Sequence, residues 1–83
     1  MIDQVKNTDG SLTYGEKIMG LSFNPGKDED VKNCKESFAI IADYLDQLKK
    51  ESKSEEVKRM SSIAITQLQS AQMWSVKDIT WED

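Results

Sequence analysis

Between Arg59 and Lys77 the chain runs through MSSIAITQLQSAQMWSV without a charge, a glycine or a proline. At helical pitch this is about five uninterrupted turns. Residues 60–77 therefore constrain the fold more than any other stretch. Val57, Met60, Ala64, Leu68 and Ala71 recur at helical spacing and predict one packing seam. A second row holds Ile63, Gln67, Ser70 and Trp74, and a third holds Ile65, Gln69, Gln72 and Val76. A helix that covers one neighbour normally carries charge on its outer rows. This one does not, and in a chain of 83 residues the expected cover is another copy.

Composition points the same way. A domain this small buries a modest share of its surface, so stability usually draws on disulfides, metal or association. Cys34 is the only cysteine and there is no histidine, so a disulfide within the chain is excluded and a zinc or iron site is disfavoured. The single thiol fits a reducing cytosol. No apolar run approaches the roughly 18 residues of a membrane span, and the polar start MIDQVKNTDG does not read as a signal peptide. A net charge of −4 argues against polymeric nucleic acid, which leaves a basic stripe on its partners. A small anion held by one lysine and a helix start remains compatible with it.

In chain order, residues 1–12 are expected to form a flexible N-terminal segment. Thr13 and Glu16 have capping-box spacing, predicting a short helix over about residues 13–20 that Gly20 stops. Asn24 before Pro25 reads as a helix start, with Asp28, Glu29 and Asp30 favourably placed in the first turn. A long helix is then expected over about residues 25–50, its seam formed by Val31, Cys34, Phe38, Ile41, Leu45 and Leu48. Ala39, Ile40, Ala42 and Tyr44 would widen that face. Ser52 and Glu55 form a second capping-box spacing, so the next helix starts near Ser52 or Ser54 and covers about residues 54–78. So short a connection makes the two long helices antiparallel neighbours. Trp81 is expected to pack on the hairpin. The fold class is all-α: an antiparallel two-helix hairpin with a short N-terminal helix, assembled as a homo-oligomer.

Catalytic constellations are absent from the sequence. No histidine can serve as base, Cys34 sits on the apolar seam, and the carboxylates cluster where capping and solubility explain them. The four glycines are too dispersed for a phosphate loop. Binding without turnover is the expected activity, with no cofactor.

Two segments carry a family resemblance: GLSFNPGKDEDVKNCKESFAIIADYLDQL, and after a charged turn SEEVKRMSSIAITQLQSAQMWSVKDIT. The SFNP turn, and the pattern of Ala64, Thr66, Leu68, Ala71, Gln72, Met73, Trp74, Val76 and Lys77, are its most specific pieces. Together they resemble the helical hairpin of the phage anti-CBASS sponge proteins, the second anti-CBASS family, a hairpin shared with a Thoeris anti-defence family. Gln69 stands where the family pattern has glutamate, keeping size and removing a charge. The resemblance implies a homo-hexamer in the infected bacterial cytoplasm that captures cyclic dinucleotides and cyclic trinucleotides without cleaving them. It implies dinucleotide pockets between protomers and separate trinucleotide pockets near the threefold axes.

A cyclic dinucleotide needs stacking faces, cationic groups and hydrogen-bond donors. Tyr14, Phe23 and Trp74 are candidate platforms, and Lys27 with the amides after Asn24 is a candidate phosphate seat. By the resemblance, Lys35 and Ser37 correspond to a lysine and hydroxyl that contact ligand, and Arg59 and Ser62 to the trinucleotide pocket. Plainer readings stay open: Phe23 as a hydrophobic staple, Trp74 as interface core, Lys27 and Lys35 as solvent-facing lysines. The rival function is a helical phage module that binds a host protein. An enzyme degrading the same messengers ranks below both.

Overall fold

The computed structural model describes residues 5–83. It holds α1 (Tyr14–Ile18), α2 (Glu29–Glu51) and α3 (Glu55–Ile79), with no strand among the described residues. The long helices pack as a hairpin and α1 lies on α2. Of the segment expected to be flexible, residues 1–4 lie outside the described residues. The remainder closes a small turn, in which Asn7 Nδ2 donates to Ser11 Oγ and to the Leu12 carbonyl at 3.0 Å. The Ser11 hydroxyl donates to Asp9 and holds that carboxyl below its ordinary range.

The ends of α1 are set by its sequence. Thr13 Oγ1 accepts from the Glu16 amide at 3.2 Å while Glu16 Oε1 accepts from the Thr13 amide at 2.8 Å, a complete capping box. At the other end Gly20 adopts φ +66°, where a side chain would be strained. The amides of Gly20 and Leu21 donate back to the carbonyls of Lys17 and Glu16 at 3.1 and 3.0 Å, the paired bonds of a Schellman stop.

Helix α2 begins four residues later than the Asn24-Pro25 signal suggests. Its N-cap is Asp28, whose Oδ1 accepts from the amides of Asp30 and Val31 at 2.8 and 3.3 Å. Asn24 instead clamps the loop: its amide donates to the Asp28 carbonyl at 2.9 Å and accepts from the Asp28 amide at 3.2 Å. Lys27, at φ +50°, is left-handed, which is incompatible with a helix running on from Pro25. The second expected capping box is also displaced. Ser54 caps α3 by accepting from the Val57 amide at 3.2 Å, and Ser52 is the C-cap of α2.

The inner faces of both long helices differ from the apolar seams counted in the sequence. On α2 the buried row is Val31, Lys35, Ala39, Ala42 and Asp43, while Ile41 and Leu48, expected inside, are exposed. Cys34, Phe38 and Leu45 are half-buried, and Tyr44 is exposed. On α3 the buried residues are Ser61, Ile65 and Gln72, while Met60 and Ala71 of the expected seam face out. The cause is size. Met19, 1% exposed, fills the junction between α1 and the hairpin, and only Ala39 and Ala42 leave it room. Ile18, Phe38 and Leu68 close around that centre. Trp81 also departs from expectation: it is exposed, its indole donating to Asp83 Oδ1 at 3.0 Å.

Helix α1 is fastened to α2 through a buried carboxylate. Asp43, 6% exposed, accepts from the Thr13 hydroxyl and from the Gly15 amide, both at 2.6 Å. A carboxylate at such depth needs charge-assisted or well-formed hydrogen bonds to offset its lost hydration, and these two amount to a helix N-terminus seated on it. Gly15 makes the approach possible. A Cβ there would stand 2.8 Å from the Asp43 carboxyl carbon and closer still to the Ala39 carbonyl oxygen.

Candidate functional site

The loop between α1 and α2 folds over the first turns of α2 and meets the end of α3. Phe23, Asn24, Pro25, Gly26, Asp28, Val31, Lys35, Val76 and Thr80 enclose a groove of about 320 Å³ there. Three of the sequence-derived candidates meet in it: Phe23, Asn24 and Lys35.

Lys35 is the central group. Only 6% exposed, it sends its ammonium to the carbonyl oxygens of Gly20, at 3.0 Å, and of Phe23. Those two bonds pin the loop to α2. The Phe23 ring lies 5.6 Å from the same nitrogen, within the reach of a cation–π contact, and is itself 71% exposed. No carboxylate among the described residues forms an ion pair with Lys35. Its partners are neutral carbonyls, so no side-chain anion stands between the ammonium and an incoming one.

Much of the backbone seat expected after Asn24 is already taken within the fold. The Lys27 amide donates to the Asn24 carbonyl at 3.0 Å, and those of Asp28, Asp30 and Val31 are taken by the side chains of Asn24 and Asp28. Lys27 is exposed and outside the groove lining. Thr80 and Val76 complete the wall, the Thr80 hydroxyl donating to the Val76 carbonyl at 2.8 Å. Neither was singled out for this site from the sequence, because their role arises only from packing the end of α3 against a loop some fifty positions earlier.

The other candidates lie elsewhere. Tyr14 is exposed at the start of α1. Ser37 is on the outer side of α2, its hydroxyl donating to the Asn33 carbonyl at 2.9 Å, whereas Lys35 faces inward. Trp74 is 67% exposed on α3, with the Lys77 ammonium 5.1 Å from its ring. Arg59 and Ser62 open α3, about 20 to 25 Å along the helix from Val76 at 1.5 Å per residue. Ser62 donates to the Lys58 carbonyl at 3.0 Å, and Arg59 pairs with Glu56. Hydrogen bonds from Arg59 hold the Glu56 carboxyl below its ordinary range. The small stabilisation this gives is present above the ordinary carboxylate value and is lost as pH falls through the lowered one.

Among the described residues no group of carboxylates and thiol is arranged to hold a metal ion, and no helix is long and apolar enough to cross a membrane.

The family model described as Acb2/Tad1, hairpin domain matches residues 16–80. The chain belongs to that family. The match contains every residue lining the groove and leaves Tyr14 just outside it. The family is that of the anti-CBASS and anti-Thoeris sponges, a binding domain, and its general activity is the sequestration of cyclic nucleotides. Neither a curated protein nor a solved structure gives a match.

Proposed function

We propose that the protein sequesters cyclic dinucleotide and cyclic trinucleotide immune messengers without cleaving them, in the cytoplasm of a phage-infected bacterium, and so starves CBASS-type effectors. The observation that carries this reading is the buried Lys35 ammonium beneath the exposed Phe23 ring, in a groove that lies wholly within the residues matched to the family. A phosphodiester oxygen meets the ammonium while a base stacks on the ring, a contact worth about 1 to 3 kcal/mol per base. Asn24 keeps the groove wall closed and Lys27 adds charge at its edge.

The groove on one chain is too small to enclose a whole ring of nucleotides. The remaining contacts come from neighbouring copies in a homo-hexamer. Tyr44, Leu48, Met60, Ile63, Met73 and Trp74 are large apolar side chains exposed on the lone chain, more than a stable monomer normally leaves open. Assembly brings Tyr14, Ser37 and Trp74 of other copies toward the ligand, and sets Arg59 and Ser62 around a separate trinucleotide pocket. Sedimentation should find an assembly at micromolar concentration, and Ile63→Glu should shift it to smaller species. A folded single subunit of the parent under those conditions overturns the assembly.

The binding test is a melting experiment with a cyclic dinucleotide, followed by heat denaturation and recovery of the nucleotide. At 100-fold excess over Kd the gain is about 2.7 kcal/mol. For a domain of this size that raises Tm by roughly 10 °C or more. Recovery of the nucleotide intact completes the expected result. Altered nucleotide would indicate an enzyme, and no shift with any cyclic di- or trinucleotide would leave the host-protein interaction module.

A further inference from the structure

The groove is lined by one ammonium and one carboxylate, Lys35 and Asp28. Each is partly spent on holding the protein together. Lys35 has three N–H donors, and the Gly20 and Phe23 carbonyls take two, leaving one for a ligand. Asp28 uses Oδ1 to cap α2, whereas its Oδ2 makes no hydrogen bond among the described residues. The Asn24 amide is closed on the Asp28 backbone through both its atoms. The polar lining thus offers one free donor on a single positive charge and holds one negative charge.

That balance suits a phosphodiester and opposes a terminal phosphate. A diester group carries one negative charge and needs one strong donor on an exposed oxygen. A phosphomonoester carries about −1.5 to −2 at neutral pH, with three oxygens seeking donors. Its extra charge would face Asp28 with no second cation in the lining to neutralise it. Outside the lining, the exposed Glu29 and Asp30 outnumber Lys27 at its edge, so the surroundings add net repulsion of the same sign.

We infer that Asp28 is a specificity-determining residue, through which the groove takes the closed nucleotide ring and rejects the opened, terminally phosphorylated dinucleotide. The inference rests on the cyclic-nucleotide reading above and names the feature that sets its selectivity. It has a consequence for a non-catalytic binder, since linear products of messenger breakdown would not occupy sites needed for intact rings.

The charge can be removed without removing the cap, because Asn and Ser serve at an N-cap about as well as Asp. Asp28→Asn and Asp28→Ser are therefore paired tests. Calorimetric titration would compare 3′,3′-cyclic di-AMP with the linear 5′-phosphorylated dinucleotide pApA, at low salt and at 0.5 M salt. One unit of charge repulsion across about 6 Å, at an effective dielectric between 80 and 20, corresponds to roughly 3- to 100-fold in affinity. The parent should favour the ring, and both variants should shrink the ring-to-linear ratio by about fivefold or more. High salt should shrink it in the parent and have less effect in the variants. An unchanged ratio in both variants, or equal binding of the two ligands by the parent, overturns the role of Asp28 while leaving the binding function standing. Failure of the parent to bind either ligand overturns that function and this inference with it.

Discussion

Gly15→Ala is expected to destabilise the protein by about 3 kcal/mol or more, although the same change in an exposed helix would stabilise it by up to about 1 kcal/mol. The sign reverses because the new methyl meets the Ala39 carbonyl and the Asp43 carboxyl, so backbone must move. Moving α1 outward stretches the 2.6 Å bond from the Gly15 amide and leaves Asp43 short of donors, adding about 1 to 3 kcal/mol for an unsatisfied buried group. Since α1 contacts the hairpin chiefly through α2, the hairpin should stay folded while the α1 amides lose hydrogen-exchange protection. A variant as stable as the parent, with those amides still protected, would show that Asp43 does not fasten α1.

Lys35→Met is expected to weaken cyclic dinucleotide binding by about 100-fold or more while changing stability by only about 1 kcal/mol. Methionine keeps the length of the side chain and removes its charge. Hydrogen bonds to a charged group contribute about 1.5 to 3 kcal/mol each. Burying an ammonium costs several kcal/mol, so the two nearly cancel in the fold. Of the two carbonyls released, that of Gly20 still accepts from the Phe23 amide at 2.9 Å, and that of Phe23 belongs to an exposed residue, which limits the loss further. For the ligand no such cancellation occurs, because the phosphate then loses the groove's cation and the ring of Phe23 loses the pin beneath it. Titration decides the matter: affinity within about threefold of the parent would remove Lys35 from the binding site, whatever the melting temperature does.

The ends of α1 were readable residue by residue, since capping boxes and glycine stops are local devices and Thr13, Glu16 and Gly20 carry them. Both long helices were readable from period and length. Their rotation was legible only in part: Val31, Ala39 and Ala42 are buried as expected, and Phe38 and Leu68 pack against the core. Counting apolar residues placed Met60, Ile41 and Leu48 inside, but the close approach of the helices selects small side chains, and Lys35, Asp43, Ser61 and Gln72 occupy inner positions, with no fully buried side-chain nitrogen or oxygen among the described residues left without a partner. No periodicity scale registers a lysine held by two carbonyls. The groove shows the same division. Phe23, Asn24 and Lys35 stood out as aromatic, turn-forming and cationic groups near one helix start, whereas Val76 and Thr80 join them only through tertiary packing. Asp28 was legible as a helix-start charge but not as a wall of the groove, because that depends on Asn24 folding the loop back upon it.

Asp43 and Lys35 are two turns apart on one helix, and they grip opposite ends of the segment before the loop: Thr13 and Gly15 at its start, Gly20 and Phe23 at its finish. Residues 13–23 are thereby registered on α2 before the chain reaches α2 itself. Residues 24–28 are left as a tether between two fixed points. A substitution among them acts on the groove wall, and through Asp28 on the start of α2, while the grips of Asp43 and Lys35 stay in place, so the capturing surface can be altered on an unchanged scaffold.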